Sequence, residues 1–426
     1  MSSPEKYTHS RSTLGSFRIL IYGLVIVIVI FGPVILAIAQ PATMNDMPAR
    51  VDALAQSTDA CVVCHRIYTP GIVDQFGYSN KAAAGVTCRD CHEVSADFPG
   101  AVDHNGAYVV PSPTPGICAG CHATEVSQFH ASRHATPSYA AMRGTADFTP
   151  AQLAQYEAIP EGSYAPDKER NALYELEGGD ITRFACHVCH DIGEPRADGS
   201  IGKCQKCHLR HEFNLEQARK PETCNQCHIG PDHPQWEIYQ ESPHGVSYMT
   251  RGHAWNWEAE PGTLTSSDIP AATCAICHMS GFGTAETTHD VGDRLTWYLF
   301  ASVSERRPSW QDNQARMQGI CGNCHNDRFI EDFYTDADKV VDAVNKLVKQ
   351  GQDIVKPLKD ANLMTAAAFD EPIDFVSFDL WHHWGRTTKF GSWMQGPDYV
   401  QWHGAYEMLR ELAELKEITA GKLEAE

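Results

Sequence analysis

Apolar positions in this chain concentrate at its two ends. Ile19 to Ala39 is a run of 21 residues without a charged side chain, preceded by Lys6, Arg11 and Arg18. A helix of that length crosses a bilayer, with its basic flank left on the cytoplasmic side. Ala37-Ile38-Ala39 before Gln40 also has the small-x-small form of a signal-peptide cleavage site. The run is longer than an ordinary signal core of roughly 7 to 15 residues, which favours an uncleaved anchor. Towards the other end, Val340, Val341, Val344, Leu347 and Val348 recur at helical spacing, and Met408, Leu409, Leu412 and Leu415 do so again. The pattern predicts two long amphipathic helices, over 336–362 and 398–420, whose stripes serve a core or a subunit contact. Between the ends, strand-like alternation is scarce, and links rich in Pro and Gly, such as VVPSPTPG and AIPEGSYAPD, separate short segments.

The cysteines explain what those short segments carry. All 16 fall in one pattern: Cys61 and Cys64 before His65, Cys88 and Cys91 before His92, Cys118 and Cys121 before His122, Cys186 and Cys189 before His190, Cys204 and Cys207 before His208, Cys224 and Cys227 before His228, Cys274 and Cys277 before His278, and Cys321 and Cys324 before His325. Zinc ribbons and thioredoxin-like pairs share the Cys spacing and leave the trailing His unexplained. Cys-x-x-Cys-His is the attachment signature of c-type haem, with two thioethers to the porphyrin and a proximal imidazole on the iron. Eight copies predict eight covalent haems and leave no Cys for a disulfide.

With so few residues per haem, the porphyrins form much of the core, and the fold class is a mainly α-helical multihaem cytochrome c. Haem attachment of this kind takes place outside the cytoplasm. The expected organisation is a cytoplasmic stretch 1–18, an anchor or signal 19–39, an octahaem domain 40–335 and a helical region 336–426. A formal net charge of −20 argues against a nucleic-acid partner.

The chain has 21 histidines, eight of them in the motifs, and His9 precedes the apolar run. Those that remain are His104, His130, His134, His187, His211, His233, His244, His253, His289, His382, His383 and His403. The number permits eight six-coordinate irons, or seven and one open, so counting does not locate an active site.

The order of the motifs, with the segments LRHEFNLEQARKPETCNQCHIGPDHPQWEIYQESPHG, WNWEAEPG and CHMSGFGTAETTHD and the C-terminal helix, resembles the octahaem hydroxylamine oxidoreductase family over roughly residues 55–420. The resemblance implies that the fourth motif, Cys186, Cys189 and His190, holds the catalytic haem with iron open on its distal side, while the other seven have two His ligands and pass electrons. It implies distal ligands His104, His134, His211, His244, His289 and one of His382 and His383. The family has a further ligand in a Ser-x-His segment between the first two motifs, where this chain reads Tyr78-Ser79-Asn80-Lys81. Lys81, His130 or no ligand is left for the first haem. Asp232 and His233 match the pair that the family places over the open iron, which implies that His233 donates protons; the alternative is an ordinary distal ligand.

Oxidative members carry a Tyr that links covalently to the catalytic porphyrin of a neighbouring subunit. The corresponding place here, near Thr388 to Phe390, has none, and Tyr399 and Tyr406 lie in the last predicted helix, where packing is expected. The chain thus resembles the reductive branch, which implies reduction of nitrite or hydroxylamine towards ammonium; hydroxylamine or hydrazine oxidation and a non-catalytic electron wire are the alternatives. The implied setting is the periplasmic side of the inner membrane, beside a redox-partner cytochrome or a quinol-oxidising membrane protein. A homotrimer is also expected, and sedimentation of the haem-loaded protein should give three chains' mass; the mass of one chain would refute it.

Overall fold

The computed structural model describes residues 54–157 and 165–425, all within one compact unit. The expected anchor at 19–39 lies outside the described residues. Among those described, no helix is long and apolar enough to cross a membrane. The fold is mainly helical, as the composition of motifs and short links predicts, and one two-stranded hairpin interrupts it.

Each motif wants a turn of helix, because residues i, i+3 and i+4 share one helical face and bring both thiols and the imidazole to the same side. Caps placed just before the first Cys start several of these turns. Asp59 accepts from the backbone N–H of Cys61 at 2.8 Å and begins the helix Ala60–Tyr68. Thr87 and Asp90 form a capping box for Cys88–His92, and Thr273 caps Cys274–His278. Satisfying these first-turn N–H groups stabilises a helix too short to persist by propensity. None of the 16 cysteines forms a disulfide.

The hairpin pairs Val102–His104 with Ala107–Val109 through Asn105 and Gly106, both at positive φ. Asn-Gly is the preferred pair for such a two-residue turn. It folds His104 back towards the first motif.

The predicted C-terminal helices form with shifted ends. The first runs Asp327–Asp360, starting two residues after His325 and passing through the expected junction at 335/336; the cap Asn326 accepts from Phe329 N at 3.0 Å. The second stretch is divided into Pro397–Val400, a π-helical turn Gln401–Ala405 and Tyr406–Glu424. Val344, Val348, Met408, Leu412 and Leu415 bury their side chains in one cluster with Ile373, Val376 and Leu380. Gly351 permits the close crossing, since a Cβ there would meet Leu380 Cδ2 at 2.2 Å. The predicted stripe is therefore consumed within the chain, except at Leu409, which is 58% exposed. Tyr406, expected to pack, is half exposed beside Trp402.

Leu415→Ala should destabilise this cluster by about 2–5 kcal/mol, the usual cost of emptying a filled core position. Leu409→Ala should stay within about 0.5 kcal/mol of the parent. Thermal unfolding followed by near-ultraviolet circular dichroism distinguishes the two, and equal shifts would contradict the packing.

Candidate functional site

Five motif imidazoles are faced by a second imidazole from another segment. Ring centres are 5.9 Å apart for His65 and His104, 6.3 Å for His92 and His211, 6.2 Å for His208 and His289, 6.0 Å for His228 and His134, and 6.0 Å for His325 and His244. Two metal–imidazole bonds of about 2 Å each, with the half-ring beyond each nitrogen, span this separation. The donor sets thus fit haem iron held between two histidines. His92 and His190 point Nδ1 at the carbonyls of Val110 (2.7 Å) and Ser138 (2.8 Å), which leaves Nε2 for a metal. Burial pushes His134 and His208 down to about 4 and His228 to about 3, so their rings are neutral, the form that binds metal.

Three placements depart from the sequence reading. The first motif, for which Lys81, His130 or nothing was left, is faced by His104, because the Asn105-Gly106 turn returns that side chain to His65. Lys81 stands instead at the third motif, its Nζ 3.3 Å from His122 Nε2. His130 Nε2 is engaged by the backbone of Ile201. Neither His382 nor His383 stands opposite a motif imidazole at these separations among the described residues. His383 Nδ1 meets Asp379 at 2.8 Å, and His382 Nε2 accepts from Arg386 at 2.8 Å. Both sit on a π-helical turn, Leu380–Gly385, whose extra residue per turn redirects the side chains that an α-helical reading would aim elsewhere.

Asp232 and His233 meet as the sequence places them, with His233 Nδ1 at 2.5 Å from Asp232 Oδ2. Thr387 Oγ1 donates to Pro231 O at 3.2 Å and ties this loop to the helix Arg386–Met394. Arg386 lies 4.0 Å from Asp232 and donates from Nη2 to the carbonyl of Phe300 at 2.8 Å. The Phe300 ring stands 5.0 Å from that of His233 and 5.1 Å from that of Phe390. Burial alone would raise Asp232, but the hydrogen bond and charge of His233, with His382 and Arg386, hold it at about 2. Burial and Arg386 push His382 down to about 2, so that ring is neutral.

Asp232 and His233 both act electrostatically on His190 of the fourth motif and Asp232 acts on Cys189, while His233 acts on His228 of the sixth as well. His233 is also edge-on to His228 at 6.3 Å, so His228 has two imidazoles at similar range. Asp232 occupies Nδ1 of the His233 ring. Among the described residues no imidazole faces His190 or His278 at the separations of the five pairs.

Two cations escape a reading of the sequence. Arg386 is 8% exposed, and Lys389 is fully buried, donating to Ala301 O at 3.0 Å and Ser304 Oγ at 2.8 Å. Burial, then Arg386, lowers Lys389 to about 7. The available signal is an Arg and a Lys three residues apart in a segment, RTTKFGSWM, that is otherwise poor in charge.

Neighbouring motifs adjoin through their thiols. The paired thiols lie near enough to influence one another: Cys61 and Cys88, Cys91 and Cys118, Cys118 and Cys204, Cys207 and Cys224, Cys224 and Cys274, and Cys277 and Cys321. The spatial order is first, second, third, fifth, sixth, seventh, eighth. The fourth joins at the sixth, through Cys189 and Cys227.

A family model described as seven times multi-haem cytochrome CxxCH matches residues 84–372, a stretch that holds seven of the eight motifs. A probable nitrite reductase-hydroxylamine oxidoreductase fusion protein of Kuenenia stuttgartiensis is 26% identical over 363 residues, covering 71% of this chain and 38% of the relative. The chain therefore spans well under half the length of that curated relative. A solved structure described as a hypothetical multiheme protein matches with a TM-score of 0.74 at 21% identity, over 89% of this chain and 99% of the other. Another, from the reducing HAO-like protein complex of Kuenenia stuttgartiensis, matches with a TM-score of 0.63 at 20% identity, over 86% and 85%. At these identities the two structures establish the fold alone.

Asp232 sits below the ordinary carboxylate value, so what its ion pair contributes is complete above about pH 4 and is lost as pH falls through about 2. Arg386→Gln removes one of the charges that hold it down. The infrared band of protonated Asp232, identified by its absence in Asp232→Asn, should then grow in at higher pH than in the parent. An unchanged titration would show that Arg386 does not act on the pair.

Proposed function

This chain belongs to the multihaem cytochrome family of repeated CxxCH motifs, and on that footing we propose that it reduces nitrite, and hydroxylamine, towards ammonium at the fourth of its eight haem sites. Haem bound there supplies an iron that takes the substrate nitrogen and the electrons that reduce it. The grouping of Asp232, His233 and Arg386, the first two acting on His190 of the fourth motif, is the observation that carries the reading.

Nitrite becoming ammonium consumes six electrons and eight protons and releases two waters. Asp232 holds Nδ1–H of His233, so the proton that moves is the one on Nε2, and the carboxylate stabilises the charged ring between deliveries. Arg386 adds a fixed positive charge beside the pair, which favours an anionic substrate over a neutral one. Its guanidinium is held by the Phe300 carbonyl, so little reorganisation accompanies binding. Electrons reach the fourth motif through the sixth, at which it joins the array.

The reductive direction draws support from the interior place of Thr388 and Phe390, both buried in the helix Arg386–Met394 where the resemblance expects a cross-linking Tyr. Residues 19–39 hold the protein on the periplasmic side, near a redox-partner cytochrome or quinol-oxidising membrane protein. Three copies assemble as a homotrimer; exposed Trp402, Tyr406 and Leu409, spaced along one side of the C-terminal helical stretch, suit such a contact. That Tyr406 is accessible also favours a second reading, oxidation of hydroxylamine or hydrazine with Tyr406 linked to a neighbour's haem. A long-wavelength band in the reduced visible spectrum identifies the linked form, and its absence eliminates it.

In the proposed reading His134 is the axial partner of His228, and His233 touches substrate. His233→Ala should then leave the number of high-spin irons unchanged and lower nitrite turnover by about 10²–10⁴-fold. Electron paramagnetic resonance and steady-state assays measure the two quantities. A new high-spin iron would make His233 a ligand, and undiminished turnover would remove its role in proton transfer.

A further inference from the structure

We infer that Lys81 is an axial ligand of the haem on the third motif, which would give that iron one amine and one imidazole. His122 is the third motif's imidazole, and the atom facing its Nε2 is Lys81 Nζ, at 3.3 Å. No imidazole among the described residues faces His122 at the separations of the five pairs. The nitrogen that Lys81 meets is the one through which a motif histidine binds iron, since at His92 and His190 the other ring nitrogen is held by a carbonyl.

Two bonds of about 2 Å would separate these nitrogens by more than they are separated here, and the lysine's four-carbon stem takes up the difference. The backbone that carries it is well anchored. Ser79, 1% exposed, accepts from Ala82 N at 3.0 Å and donates to Phe76 O at 2.7 Å, which sets the single turn Asn80–Ala83 and aims position 81 at the third motif. Phe213 covers the ammonium from the side, with Nζ 5.3 Å from its ring centre. Carboxylates are absent from the contacts of this amine among the described residues. An unprotonated amine is the species that binds, so coordination releases one proton from the lysine and changes no oxidation state.

The third motif lies within the relay, between the second and the fifth, and the inference depends on haem attachment there and not on the reaction proposed for the fourth. Its test uses the full-length, haem-loaded protein. In the parent, near-infrared magnetic circular dichroism should show one low-spin haem with amine–imidazole coordination. Lys81→Ala should add one high-spin iron and one bound carbon monoxide per chain after reduction, with the haem number by mass spectrometry unchanged. Lys81→His should return the iron to low spin and replace the amine–imidazole band by a bis-imidazole one. The inference is overturned if Lys81→Ala leaves spin state and carbon monoxide stoichiometry as they were, or if Lys81→His leaves the near-infrared spectrum identical to the parent's. Neither result bears on His233, whose variant is read at the fourth motif.

Discussion

A nitrogen that is to hold iron has to be unprotonated, aimed along the metal axis and matched by a second donor from elsewhere in the chain. The rest of this structure depends on that requirement. Each motif is a local helical turn, with its two thiols and one imidazole on one face. In the five paired motifs the second donor comes from a hairpin, a loop or the first turn of a helix: His104 from the strand Val102–His104, His244 from the start of Pro243–Arg251. The pairings act as cross-links between segments that have little regular structure to bind them. Buried aromatic residues, among them Tyr239, Tyr248, Trp255 and Trp257, fill the remaining space, and the C-terminal helices supply a conventional aliphatic cluster.

The fourth motif departs from this arrangement in a chemically useful way. The groups that act on it are a carboxylate and an imidazole, with a guanidinium beside the carboxylate, held by a loop and a helix that Thr387 ties together. A carboxylate held below its usual value, an adjoining imidazole and a buried cation together suit the anionic, proton-consuming substrate proposed above. A relay that meets this site through the sixth motif suits a reaction needing several electrons in succession. These features support the proposed reduction.

Much of this is legible in the order of residues along the chain. Sixteen cysteines and eight trailing histidines have to be contiguous in sequence, because attachment chemistry acts on a few adjacent residues. The apolar stripes of 336–362 and 398–420 mark helices, though helix starts depend on caps such as Asn326, and a π-turn at Gln401–Ala405 divides the second stretch. The Asn105-Gly106 turn is legible too, as a hairpin signal that the surrounding lack of strand alternation hides.

What only the tertiary structure decided is which distant groups meet. Lys81 and His122 are 41 residues apart, and His65 and His104 are separated by the entire second motif. No periodicity records such meetings, since they follow from how links rich in Pro and Gly fold around the haem sites. The same is true of Arg386 and Lys389, whose burial among carbonyls and aromatic rings follows from the fold. His382 shows the reverse, a residue whose type suits iron and whose helical turn delivers it to Arg386. Sequence alone determined the kind of cofactor and the motifs that bind it, because covalent chemistry is local. Which side chains face the motif imidazoles, and the electrostatics around Asp232, came from the fold, because proximity and burial act across space.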